Sequence, residues 1–202
     1  MLSSRPNRRS FIALSAATLS AAAFAGPAAA LSEGQATGLV DTVVAEINRV
    51  IASGKSESAM IKDFENLFVR YADVPIMAQY VLGNDGRSAS ASQKKAFAQA
   101  FQVYISRKYG RRFREFIGGR IDVQGGRQIK SGYEVRTTAH LRGESPFDVT
   151  FLVSDKSGRP LFFNMFIEGV NLLLTERTEI GAMLDRRGGN IDALIADLRA
   201  AG

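Results

Sequence analysis

Few side chains in this sequence have the types and spacing that catalysis or metal binding requires. The chain has 202 residues, no cysteine and one histidine, His140. These counts exclude thiolate nucleophiles, disulfides, cysteine zinc sites and multi-histidine metal sites. The sequence also lacks the Gly-x-Ser-x-Gly elbow of many serine hydrolases. His140 and Glu168 remain as acid or base candidates, and we predict no catalytic residues, no cofactor and no metal ion.

Two charged side chains flank the C-terminal end of an apolar segment. Glu168 ends that segment, and Arg177 follows in the helix predicted after it. The residues allow two interpretations, a structural ion pair near the helix start or the polar mouth of an apolar cavity. Arg111, Arg112 and Arg114 form a basic cluster, which is either a solvated helix face or a contact for anionic lipid or a membrane partner.

The apolar segment 161–167 is predicted to be a strand that is covered on both faces. Strict alternation puts Phe163, Met165 and Ile167 on one face. Phe162 then faces the other way. An antiparallel strand with one wet face alternates apolar and polar residues, and this one does not. The segment is therefore either a central strand between helices or one wall of an apolar ligand cavity.

The elements that must position these residues give an α+β fold. Apolar residues recur at helical spacing in six segments, and a period of two follows in four. The predicted helices are 35–52, 57–71, 75–82, 90–117 (bent or interrupted at Gly110), 172–187 and 191–201. The predicted strands are 120–127, 131–142, 146–155 and 159–168. Short connections favour an antiparallel meander of about four strands, packed with N- and C-terminal helices.

Residues 1–30 have the layout of an export signal. A polar, basic start containing Arg8 and Arg9 precedes an apolar stretch, and Ala28 to Ala30 supply small residues for cleavage. The arginine pair is also typical of a twin-arginine signal. We expect cleavage near Ala30, a bacterial periplasmic location and a single domain over residues 31–202. Without the leader the net charge falls from +6 to +3, which together with export argues against a nucleic-acid partner.

Three segments in order resemble one known family. They are Tyr71–Gly83, then Ser92–Phe97 with Phe101 and Tyr109 after it, and then Phe166–Leu172 with Arg177 after it. These segments are similar to the "vLG" turn, the polar-Gln-x-x-x-Phe helix start and the "ieGvSL" strand end of the MlaC / toluene-tolerance family. Arg177 is similar to the arginine of a Tyr-Arg pair in that family, and Glu176 stands here where the pair usually has tyrosine.

The resemblance implies a periplasmic carrier of phospholipid rather than an enzyme. It further implies an apolar lipid cavity between sheet and helices, and transport of lipid between an outer-membrane lipoprotein complex and an inner-membrane ABC transporter complex. We expect the cavity lining to come from the apolar sheet face and helix stripes: Phe64, Phe68, Phe97, Phe101, Tyr104, Val135, Val149, Phe151, Phe163, Met165 and Ile167. Two alternatives stay open, a periplasmic chaperone or adaptor with an apolar groove and a small enzyme on an apolar substrate.

Overall fold

The computed structural model describes residues 30–201, with the side chains of residues 112–114 outside that description. All of the predicted leader except Ala30 lies outside it, and so do the side chains of Arg112 and Arg114. Over the described residues the fold is α+β, as the sequence predicts. None of the helices in this range is long and apolar enough to cross a bilayer.

Six α-helices form in the described range, close to the segments that periodicity predicts. Short 3-10 helices at Asp85–Arg87 and Arg111–Phe116 extend the turns after the third and fourth helices. The second of these replaces the last part of the predicted 90–117 helix, which ends at Gly110. The α-helices are α1 (Glu33–Ile51), α2 (Glu57–Tyr71), α3 (Val74–Leu82), α4 (Ala91–Gly110), α5 (Leu172–Arg186) and α6 (Ile191–Ala201).

Side chains cap the helix starts where the sequence offers the right residues. Ser32 and Ser90 each form a reciprocal capping box, with Gln35 and Gln93 respectively. Asp73 caps α3, because its carboxylate accepts a hydrogen bond from the Ile76 amide. These bonds satisfy amide groups that the first helical turn leaves without a partner.

The strands form one antiparallel meander in chain order. The sheet has five strands rather than about four, because a two-residue strand follows the last predicted one. In register, Val135 of the second strand faces Phe151 of the third, and Phe151 faces Met165 of the fourth. The strands are β1 (Arg120–Ile129), β2 (Gly132–His140), β3 (Phe147–Ser154), β4 (Leu161–Ile167) and β5 (Val170–Asn171).

A bulge in β4 corrects the predicted side-chain alternation. Asn164 pairs with Leu152 and Phe162 pairs with Val153, so Phe163 is an extra residue with no partner on β3. The extra residue shifts the period of two by one step. Phe162 therefore shares a sheet face with Met165, and the prediction that Phe163 does so is wrong.

Helix α1 packs across β1 and β2, α2 packs against α1 and α4, and α3 and α5 pack against each other and against β4. Helix α1 lies close to β1 at Gly126, where a Cβ atom would be 3.0 Å from the hydroxyl oxygen of Thr37 on α1. The start of β4 is tied to the start of α3, because the Asp73 amide donates a hydrogen bond of 2.8 Å to the Phe162 carbonyl. Sheet and helices thereby enclose a space that their side chains do not fill.

Candidate functional site

A cavity of about 470 Å³ lies between the sheet and the helices. Its walls come from α1, α2, α3, the C-terminal part of α4 with the 3-10 helix after it, the start of α5, β1, and one face of β3 and β4. The lining residues are Val43, Ile47, Phe64, Leu67, Phe68, Met77, Ile105, Ser106, Tyr109, Gly110, Glu115, Phe116, Ile121, Leu141, Glu144, Ser145, Phe147, Val149, Phe151, Phe162, Met165, Ile167, Glu168 and Leu172.

The interior of the cavity is almost entirely apolar. Phe162 lies at the centre of an aromatic group, with its ring centroid 5.6 Å from that of Phe151 and 6.0 Å from that of Phe68, both edge to face. Such pairs hold rings in defined orientations. Ser106 is a polar exception, since its buried hydroxyl has no hydrogen-bond partner among the described residues. The walls therefore offer little to a polar ligand and much to a hydrocarbon chain.

The polar residues of the lining gather where the cavity meets the surface. Glu144, Ser145 and Glu168 are exposed and lie on the loops that follow β2 and β4. Glu168 has a φ of 50° and Gly169 a φ of 78° in the two-residue turn between β4 and β5. This is the left-handed conformation that primed hairpin turns require, and glutamate adopts it at a cost. The turn holds the Glu168 carboxylate beside the opening.

A buried polar network stands behind the cavity wall, between α4 and α5. Glu176 is fully buried, and its Oε1 accepts hydrogen bonds from the Tyr109 hydroxyl at 2.6 Å and the Lys108 ammonium at 2.9 Å. Lys108 also donates to Glu179, which accepts a further bond of 2.9 Å from the Tyr104 hydroxyl. Because the Tyr109 ring lines the cavity, this network sets the position of part of its wall.

The network shifts the pKa values of its members. Burial raises the pKa of Tyr109 well above its usual value, and the bond to Glu176 adds to this. Burial also raises the pKa of Tyr104 to about 12, with Glu179 contributing. Burial lowers the pKa of Lys108, but hydrogen bonds to Glu179 and Glu176 outweigh it and raise that pKa. The lysine is a cation and both phenols are neutral at physiological pH.

Seven of the residues singled out in the sequence meet in this cavity, with Glu168 at its mouth. Those in the wall come from α2, β3 and β4, and they were predicted from the sheet face and the helix stripes. The seven are Phe64, Phe68, Val149, Phe151, Met165, Ile167 and Glu168.

The remaining lining candidates lie elsewhere. Phe97 and Phe101 stack with centroids 6.1 Å apart on α4, which packs against α6. Tyr104 is in the polar network, and Val135 is fully buried where α1 covers the sheet. Phe163 is displaced by the bulge. An apolar stripe on a helix has the same spacing whether it faces a cavity or another helix, so the sequence could not separate these residues.

Glu168 and Arg177 do not form the predicted pair. Glu168 lies at the cavity mouth, whereas Arg177 lies in a different depression, with its guanidinium carbon 5.4 Å from the centroid of the Tyr80 ring. The side of α5 that carries Arg177 packs against α3 and the turn at Gly83. Glu168 therefore lines the cavity at an exposed position, and Arg177 does not line it.

Several wall residues are not among those predicted to line the cavity. Phe162 was not predicted to line the cavity because a bulge leaves no local signal in the sequence. Val43 and Ile47 belong to the apolar spacing that predicts the helix 35–52 and were not proposed as lining, and Tyr109 was noted only in the family resemblance. The one signal available for Tyr109 was its place on α4 one turn beyond Ile105, another wall residue.

The two acid or base candidates for an enzyme are not brought together. His140 does not line the cavity, and its Nε2 lies 3.1 Å from a carboxylate oxygen of Asp122 on the neighbouring strand. Glu168 is at the mouth of the cavity. Over residues 30–201 no group of three or more histidine, aspartate or glutamate side chains is placed to hold a metal ion.

Comparison with known proteins agrees with this architecture. The family model of MlaC protein matches residues 38–200. The chain belongs to the MlaC family. A phospholipid-binding protein from Ralstonia solanacearum, solved in complex with a phospholipid, matches this MlaC-family chain with a TM-score of 0.71. The two are 18% identical, and the match covers 83% of this chain and 96% of the other. At that identity the likeness shows a common fold.

Proposed function

We propose that the cavity binds the hydrocarbon part of a phospholipid and that the protein is a periplasmic lipid carrier. The observation that carries this proposal is the apolar cavity of about 470 Å³ in a member of the MlaC family. The related fold of the Ralstonia solanacearum protein, which binds a phospholipid, supports it. The partners would be an outer-membrane lipoprotein complex and an inner-membrane ABC transporter complex.

The volume of the cavity bears on how much lipid it holds. Pockets that hold a drug-sized ligand have volumes of about 300–1,000 Å³, so a cavity of about 470 Å³ has room for hydrocarbon of acyl-chain size.

Shielding of the chains is the reason that a carrier is needed. A lipid with about 30 methylene groups exposes apolar surface that costs roughly 24 kcal/mol in water, at about 0.8 kcal/mol for each group. Free diffusion through an aqueous compartment is negligible against such a cost. Rings such as Phe151 and Phe162 would replace water around the chain, while the polar head group stays at the mouth near Glu168.

The direct test is native mass spectrometry of the mature protein, exported by a bacterial host and purified without detergent, followed by lipid extraction. We expect an adduct of phospholipid mass that is released on denaturation and matches an extracted lipid. If neither the purified protein nor protein incubated with phospholipid vesicles carries an adduct, the proposal fails. Binding of an apolar peptide by such lipid-free protein would instead favour the chaperone alternative.

A further inference from the structure

A second depression is lined by α3, the turn after it and the N-terminal half of α4. It has a volume of about 1010 Å³ and shares no lining residue with the cavity. Helix α3 contributes Met77 to the cavity and Tyr80 to this groove. Helix α4 contributes its C-terminal part to the cavity and its N-terminal part, from Lys94 to Gln102, to the groove. We call this depression the α3–α4 groove.

The α3–α4 groove is positively charged. Four cations line it, namely Arg87, Lys94, Lys95 and Arg177, and no aspartate or glutamate is among the described residues of its lining. Within residues 30–201, none of the four forms an ion pair with a carboxylate. Cations with no counter-charge of their own attract an anionic partner from solution.

Arg177 is held in place rather than left to solvent. It is half-buried, and its guanidinium packs on the Tyr80 ring. A Cβ atom at Gly83 would lie 2.8 Å from the Arg177 Nη2, so the absence of a side chain at Gly83 lets the guanidinium approach the backbone. A planar group with five donors, fixed in orientation at the wall of a groove, is suited to binding a carboxylate through two parallel hydrogen bonds.

The shape of the α3–α4 groove and its uncharged residues favour a peptide, rather than a lipid bilayer, as its binding partner. The groove is concave, whereas a bilayer surface is flat. Three glutamines, Gln79, Gln99 and Gln102, also line it, and amide side chains can both donate to and accept from a peptide backbone. Lys94 to Gln102 spans about 12 Å of helix. About four residues of an extended chain cover that length.

We infer that the α3–α4 groove is a docking site for an acidic, extended segment of a partner protein. Its lysines and Arg177 would meet the carboxylates, the glutamines would meet the backbone, and the exposed Tyr80 ring would offer an apolar surface to a side chain. This inference does not depend on lipid binding, because the groove and the cavity have no residue in common.

The test measures the binding of a fluorescein-labelled tetraglutamate peptide by fluorescence anisotropy, with a tetralysine peptide as the charge control. The groove variant is the double charge reversal Lys94→Glu with Lys95→Glu. The matched control is Lys62→Glu with Lys130→Glu, which changes the net charge equally at exposed positions outside the groove. A third variant, Arg177→Gln, tests the fixed guanidinium.

We expect tetraglutamate to bind and tetralysine not to bind, with the affinity falling as salt is added. The Kd should rise roughly tenfold in the groove variant and by less than about twofold in the control, with Arg177→Gln between them. Absence of tetraglutamate binding, or an equal loss in both double variants, would overturn the inference. A second outcome would also overturn it: the peptide does not bind, but the protein sediments with phosphatidylglycerol vesicles and this sedimentation depends on Lys94 and Lys95. Lipid occupancy measured in the same variants should be unchanged.

Discussion

The Tyr109 hydroxyl donates a hydrogen bond of 2.6 Å to Oε1 of Glu176, a carboxylate with no exposed surface. The same tyrosine also lines the cavity. The contact therefore couples the wall of the cavity to the interface of α4 and α5. The charge of Glu176 is balanced from one side by Lys108, at 2.9 Å from the same oxygen.

Removing this hydroxyl should destabilise the protein. In Tyr109→Phe the buried carboxylate loses one of its two donors, and we expect the free energy of unfolding to fall by about 2 kcal/mol. Urea denaturation followed by circular dichroism measures this. The control is Tyr133→Phe, whose hydroxyl has no hydrogen bond to the described residues and should cost almost nothing. Equal effects in the two variants would show that the Tyr109 contact contributes no special stability.

The polar network also predicts a dependence of stability on acid. The hydrogen bond from Lys108 lowers the pKa of Glu179, and the bond from Tyr104 acts in the same direction. The unfolded chain then binds more protons than the folded one below the ordinary glutamate pKa of about 4.3. This part of the stability is present above that pH and is lost as the pH falls through and below it.

The corresponding variant is Glu179→Gln, with urea midpoints measured between about pH 6 and pH 3. We expect a shallower decline on acidification than in the wild type. Glu65→Gln, at a glutamate with no ion pair among the described residues, is the control and should keep the wild-type slope. A Glu179→Gln profile parallel to that of the wild type would contradict the assigned role of Lys108.

The turn at the cavity mouth should gain stability from a better left-handed residue. Glu168 has a φ of 50°, where asparagine is favoured over glutamate. We expect Glu168→Asn to raise the free energy of unfolding by about 1 kcal/mol. Glu144→Asn removes another mouth carboxylate from a residue with negative φ and should bring no such gain. A gain in both variants would point to charge rather than backbone conformation.

Local signals in the sequence predict the elements of this fold well. Helix α2 runs over Glu57–Tyr71 as its apolar stripe predicts, and the serine and aspartate caps place the starts of α3 and α4. The strands agree to within a few residues, because turn residues and a change of period mark their ends. Each of these features depends on neighbours in the chain, which periodicity reports directly.

The candidate site is predicted less well, because it depends on relations between distant segments. Because of the bulge at Phe163, Phe162 rather than Phe163 lies on the cavity face. The sequence of β4 contains no pattern that predicts this bulge. Likewise, the stripe of α4 continues through Phe101, which meets α6, to Ile105, which meets the cavity. Only the packing of the helices decides where filled core ends and open cavity begins.

The bulge supplies the most direct test of the central claim that the cavity holds lipid. Met165 lines the cavity and Phe163 does not, although both are half-buried on β4 and lie two residues apart. The measurement is the molar ratio of phospholipid that co-purifies with Met165→Lys and with Phe163→Lys, each first shown to be folded by circular dichroism. A buried ammonium in an apolar wall is costly, so we predict a loss of roughly tenfold or more in Met165→Lys. Phe163→Lys should stay near the wild-type ratio, whereas folded variants with equal ratios would contradict the account.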